Sequence, residues 1–128
     1  MNTNVKIALA LVAGAAFATA AIQGLHAQAK PKAYAISELE PLDAAAAAAF
    51  APVAQAAQKA AGGRPFRTGT GRVVAIEGAA APKRLAITEW DSLEQAQAFY
   101  NSKAWTDLAP QRDKGVKTIR RYVVEAQN

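Results

Sequence analysis

An α+β domain with the order β-α-β-β-α-β is predicted by two turns in this chain. Gly62-Gly63-Arg64 ends a helix and begins a strand. The stretch Ile87-Thr88-Glu89-Trp90-Asp91-Ser92-Leu93-Glu94 ends a strand and begins a second helix. The length of 128 residues allows one such domain.

The elements follow in order. Ala33 to Leu39 alternates, with Tyr34, Ile36 and Glu38 on one side and Ala35, Ser37 and Leu39 on the other, which predicts a strand. Pro41-Leu42-Asp43 opens a helix, because the Asp43 carboxylate can accept the free N–H groups of the first turn. The alanine run from Ala44 to Ala49 favours helix, and Phe50, Val53, Ala57 and Ala60 continue an apolar stripe. Pro52 lacks the N–H that would bond back to Ala48, so a kink or break is expected there. Gly62-Gly63 stops the helix, since glycine tolerates the left-handed conformation just past a helix end.

Arg64 to Gly78 is expected to form the second strand, bulged at Gly69-Thr70-Gly71 and restored by Val73, Val74 and Ile76. A hairpin loop over Gly78 to Lys83 leads to a third strand, Arg84 to Trp90, with Leu85, Ile87 and Glu89 on one face. Ser92 is placed to cap a helix carrying Leu93, Ala96, Phe99 and Tyr100. Asn101-Ser102 interrupts it before a further helical stretch with Trp105, Leu108 and Arg112. Gly115 ends that stretch, and Lys117 to Glu125 is the last strand, with Arg120 and Arg121 on opposite faces.

Residues 1–29 are expected to be a cleaved signal peptide. Lys6 precedes an uncharged apolar run from Ile7 to Ile22, shorter than the ~20 residues that span a bilayer. Ala27-Gln28-Ala29 then supplies a small-x-small cleavage site, so the mature domain begins at Lys30 and the protein is periplasmic or secreted, with no membrane association after cleavage. The formal charge of +5, of which Lys6 contributes one unit, favours anionic partners. No zinc-finger spacing, RNA-binding aromatic signature or long basic helix argues for nucleic acid. The chain has no cysteine, and its one histidine, His26, lies in the segment to be removed. Thiolate chemistry, His-assisted nucleophilic catalysis, ordinary zinc sites and haem ligated through His or Cys are thereby excluded from the mature domain, and neither metal nor cofactor is expected.

The chain resembles the family known as domain of unknown function 1330, in the dimeric α/β-barrel superfamily. The likeness spans about Ala33 to Glu125 and rests on several elements together. These are Gly62-Gly63-Arg64, Arg67 before the glycines, Glu77-Gly78, Glu89, Ser92, Ala96, Tyr100-Asn101-Ser102, Trp105 where the family often has Tyr, and Arg112. Trp90-Asp91 departs from the Phe-Pro or Phe-Asp more usual there, and Pro52 interrupts the first helix. The resemblance implies a ferredoxin-like unit with a four-stranded antiparallel sheet, helices on one face, and a homodimer with a cleft between sheet and partner. The superfamily includes cofactor-free monooxygenases, haem-handling proteins and lactone isomerases, so fold alone does not name a reaction.

Glu89 is the candidate catalytic residue. Beside Leu85 and Ile87, a carboxylate would have its pKa raised by desolvation, as suits a general base; the other reading is a salt bridge to Arg64, Arg67 or Arg112. Arg64 and Arg67 offer guanidinium forks to a carboxylate or phosphate ligand. Tyr34, Tyr100 and Trp105 are candidates for an aromatic pocket or for core, and Arg112 for a ligand contact or for stabilising a helix end. Three functions fit: a module binding a small, partly apolar anionic or aromatic ligand, a cofactor-free oxygenase or isomerase with Glu89 as base, and an interaction protein without a pocket.

Overall fold

The computed structural model describes residues 30–127, so the expected signal peptide lies outside the described residues. The elements are β1 (Ala33–Pro41), α1 (Ala44–Ala60), β2 (Arg64–Pro65), β3 (Arg84–Trp90), α2 (Leu93–Tyr100), α3 (Lys103–Thr106), α4 (Ala109–Gly115) and β4 (Val116–Glu125). The strands form one antiparallel sheet in the order β2-β3-β1-β4, and the helices pack on one face of it, the ferredoxin-like arrangement.

Register assigns every strand residue to a face, because directly opposed residues point the same way. Ala35 lies opposite Thr88 and Val123, and Ser37 opposite Ala86 and Arg121; these point toward the helices. Ile36 lies opposite Ile87 and Tyr122, and Tyr34 opposite Glu89 and Val124; these form the uncovered face. Beneath the helices the core gathers Ala35, Phe50, Trp90, Ala96, Phe99 and Trp105.

The local signals for the helices act as anticipated. Asp43 Oδ1 accepts from Ala46 N at 2.7 Å, and Ser92 Oγ accepts from Gln95 N at 3.1 Å. Gly62 adopts a φ of +93°, the left-handed conformation that ends α1. Gly115 is fixed by proximity instead: its carbonyl accepts from Leu42 N and Asp43 N, and a Cβ there would stand 2.5 Å from Ala47 N.

Two expectations are corrected. Pro52 does not break α1, which runs unbroken for 17 residues. Both Pro52 and Ala48 face solvent, where water can serve the carbonyl that the ring leaves unbonded. The second strand is far shorter than Arg64 to Gly78. It pairs with β3 only at Arg64 and Pro65, extended by Phe66 N donating to Ile87 O at 2.8 Å. A turn closed by Gly71 N donating to Thr68 O at 3.0 Å carries the chain off the sheet. Val74 and Ile76, read as strand, are 65% and 88% exposed in a segment without a ladder partner.

Candidate functional site

Between the sheet and α1 lies a cavity of about 570 Å³, within the range of small-molecule sites. Its floor is Ser37, Ala86, Thr88 and Arg121 from the sheet; its roof is Phe50, Ala51, Ala54, Gln55 and Gln58 from α1. Trp105 and Arg112 close one side, and Phe66, Arg67 and Thr70 of the segment after β2 close another. The alanines explain the space: α1 presents methyl groups where larger side chains would fill it. Among the described residues, four arginines, Arg67, Arg84, Arg112 and Arg121, line the cavity, and no Asp or Glu does.

Arg121 is the decisive residue. Its Nε donates to Ser37 Oγ at 2.7 Å, and its guanidinium stacks 4.8 Å from the Trp105 ring centroid and 5.1 Å from that of Tyr100. Tyr100 is held in turn by Gln58 Nε2, which donates to its hydroxyl at 3.3 Å. No carboxylate pairs with Arg121 among the described residues. Burial pushes its pKa down, Tyr100 opposes that shift, and Arg112 adds to it. The group nevertheless stays charged, since a guanidinium titrates far above neutrality. A fixed, half-buried cation whose Nε is occupied and whose terminal nitrogens have no acidic partner is arranged to receive a forked anion.

The candidate residues divide between the two faces. Arg67, Trp105 and Arg112 line the cavity, and Tyr100 stands behind it against Trp105 at 5.3 Å between ring centroids. Arg112 also pairs with Asp113 at 2.9 Å. Tyr34, Arg64 and Glu89 belong to the uncovered face and its edge. Arg64 Nε donates to Glu89 Oε1 at 2.8 Å and Arg64 Nη2 to Asp91 Oδ1 at 2.9 Å, so Arg64 is committed to carboxylates of its own chain. Lys32 Nζ reaches Asp91 at 3.0 Å and Glu89 at 3.7 Å, and the Tyr34 hydroxyl donates to Glu89 Oε2 at 3.4 Å.

Of the two readings of Glu89, the salt bridge to Arg64 is the one found, and the upward shift that a general base would need is reversed. The Arg64 hydrogen bond holds its carboxyl below the ordinary value, outweighing desolvation, with the Arg64 and Lys32 charges and Tyr34 adding to the effect. Asp91 is lowered by Lys32 and then Arg64. Groups lowered in the folded state stabilise it above their unfolded pKa, and that stability is lost as pH falls through the folded values. Unfolding midpoints measured across the acid range are therefore expected to decline below about pH 4.5. Glu89→Gln should make that decline shallower, whereas an unchanged slope would show that the cluster contributes nothing.

Arg121 is the cavity-lining residue that sequence reasoning did not single out. The signal was the alternation of β4, which puts one of Arg120 and Arg121 on each face. Arg120 takes the uncovered face and pairs there with Glu38; Arg121 turns inward.

The model of a domain of unknown function, DUF1330, matches residues 32–127. The chain belongs to this family. No curated protein matches it in sequence. Among solved structures, a protein of unknown function from Rhodopseudomonas palustris superposes with a TM-score of 0.59 at 11% identity, covering 84% of this chain and 92% of that one. SnoaB, a cofactor-independent oxygenase from Streptomyces nogalater, superposes with a TM-score of 0.54 at 13% identity, covering 77% of this chain and 95% of its own. At such identities the likeness shows a shared fold and not a shared reaction.

Proposed function

We propose that this DUF1330 protein binds a small, partly apolar carboxylate in the cavity between its sheet and α1. The observation that carries the reading is the Arg121 guanidinium, fixed by Ser37, Trp105 and Tyr100, facing a cavity with no acidic residue in its lining among the described residues. The carboxylate would take the fork while the apolar body rests on Phe50, Trp105 and the alanines of α1. The protein acts after export, as residues 30–128 following cleavage at Ala29, and as a homodimer joined through the uncovered sheet faces. Exposed Tyr122 and Val124 on that face support the dimer, being 44% and 48% exposed on a single chain.

A base at Glu89 draws no support from this geometry, because Glu89 is ion-paired on the other face and does not line the cavity. An interaction module without a pocket is equally disfavoured by the open volume. The test is calorimetric titration with a series of aromatic and aliphatic monocarboxylates against their neutral amides. Binding by acids and not by the matching amides is expected; equal binding of both, or of neither, overturns the reading.

A further inference from the structure

We infer that the ligand of this cavity carries an acidic group at each end, so that the protein selects a dicarboxylate with an apolar middle. This rests on the carboxylate reading above and extends it from one end of the cavity to the other. Arg121 forms one cationic pole, and Arg67 with Arg84 forms a second.

The sheet holds the poles apart. Arg121 lies opposite Ser37, and Ser37 opposite Ala86. Arg84 stands two residues along β3 from Ala86, opposite Leu39. Two strand spacings across and two residues along place the Cα atoms of Arg121 and Arg84 about 12 Å apart. Both side chains share the face under the helices, because alternate residues of a strand point the same way. Arg67 joins Arg84 from the β2 side of β3, following Phe66, whose N–H donates to Ile87 O at 2.8 Å. Ala86 lies between the poles on the floor, and α1 presents Phe50, Ala51 and Ala54 above.

The charges of the chain leave both poles unanswered. Arg112 has Asp113 at 2.9 Å, but Arg67, Arg84 and Arg121 have no ion-pair partner among the described residues. The nearest acids of β1 are turned away. Glu38 and Glu40 flank Leu39 and so point to the other face of the sheet, where Glu38 pairs with Arg120 and Glu40 with Lys83. A single carboxylate on Arg121 would leave two guanidiniums bordering the same water-poor space, and a cleft lined by one sign of charge draws the opposite sign to it. A second carboxylate at the far pole answers them. Arg67 is exposed and Arg84 half-buried, so that group sits at the rim and keeps part of its water. Its contribution is a gain in selectivity, smaller than that of the carboxylate on Arg121.

Calorimetric titration with suberate, its monoamide and octanoate separates this proposal from the one it rests on. Suberate and the monoamide have the same length and differ in one acidic group. Suberate is expected to bind at least tenfold more tightly than the monoamide. In Arg67→Gln combined with Arg84→Gln that ratio should fall below threefold; a ratio within one protein is insensitive to a general weakening of the cavity. Equal binding of suberate and monoamide by the unaltered protein, with octanoate also bound, overturns the second pole and leaves the carboxylate reading standing. A suberate preference that survives in the double variant overturns the assignment to Arg67 and Arg84. Binding of none of the three compounds overturns both proposals.

Discussion

Arg121→Met is expected to weaken carboxylate binding sharply and to raise the melting temperature of the ligand-free protein. Removing one member of a buried charge pair costs a complex about 2–5 kcal/mol, so affinity should fall by roughly 30-fold to several thousandfold. The stability change has the opposite sign because, without ligand, the guanidinium is desolvated and has no counter-charge. That penalty is several kcal/mol for an ion in a low-dielectric site, reduced here by partial exposure. Against it stand the stacking on Trp105 and Tyr100, worth about 1–2 kcal/mol, and the Ser37 hydrogen bond, worth about 1 kcal/mol. Methionine keeps the volume and its own contact with the rings. The balance favours the variant by about 1 kcal/mol, or about 4–8 °C for a domain of this size. Calorimetric titration and thermal unfolding of the same samples read both effects. A variant that loses binding and stability together would make Arg121 a structural residue, and one that keeps binding would end the carboxylate proposal. Arg121→Lys separates charge from shape: it retains the cation but loses the planar fork and much of the stacking, so intermediate affinity is expected.

Caps and helix ends were legible because their causes are local. Asp43, Ser92 and Gly62 each act on a backbone group within a few residues, so their roles are written in the neighbouring sequence. The alternation of β1 and β3 was legible for the same reason, and it placed Leu85, Ile87 and Glu89 together correctly. What escaped was anything that depends on which partner a segment finds. Val73, Val74 and Ile76 have strand propensity, but propensity does not supply a neighbouring strand, and the turn at Thr68–Gly71 removes β3 from reach. Glu89 and Arg121 present the same problem from two sides. Both are charged residues on strands with apolar neighbours, and either could have faced the cavity. Register decides that Glu89 shares a face with Tyr34, and Ser37 with Arg121. Which face the helices then cover is a tertiary fact, and it alone gives the cavity to the arginine.

The second large effect lies in the Gly62-Gly63-Arg64 turn, where two adjacent glycines are required for different reasons. Gly62 is needed for its left-handed backbone, but Gly63 is needed for space. A Cβ on Gly63 would stand 2.8 Å from Cη2 of the Trp90 ring and 3.0 Å from Gln58 O. Trp90 cannot withdraw: it is fully buried, 5.0 Å from Phe99 and 5.9 Å from Tyr100 between ring centroids. Gly63→Ala should therefore cost about 1–3 kcal/mol as an overpacking change, lowering the melting temperature by roughly 5–20 °C. The buried Nε1 of Trp90 has no hydrogen-bond partner among the described residues. Trp90→Phe removes that unsatisfied donor together with the ring atoms that press on position 63. The loss of packing and the relief of the donor offset one another, so the single change should be mild, whereas Trp90→Ala should cost about 3–5 kcal/mol by opening a cavity in the core. The two sites are in contact, so their effects should not add. Gly63→Ala combined with Trp90→Phe should be more stable than Gly63→Ala alone, recovering most of its loss. Thermal unfolding of the four proteins in the cycle measures that coupling. Simple additivity would mean that the close approach of Trp90 is not what holds position 63 to glycine, and that the Gln58 carbonyl sets the limit instead.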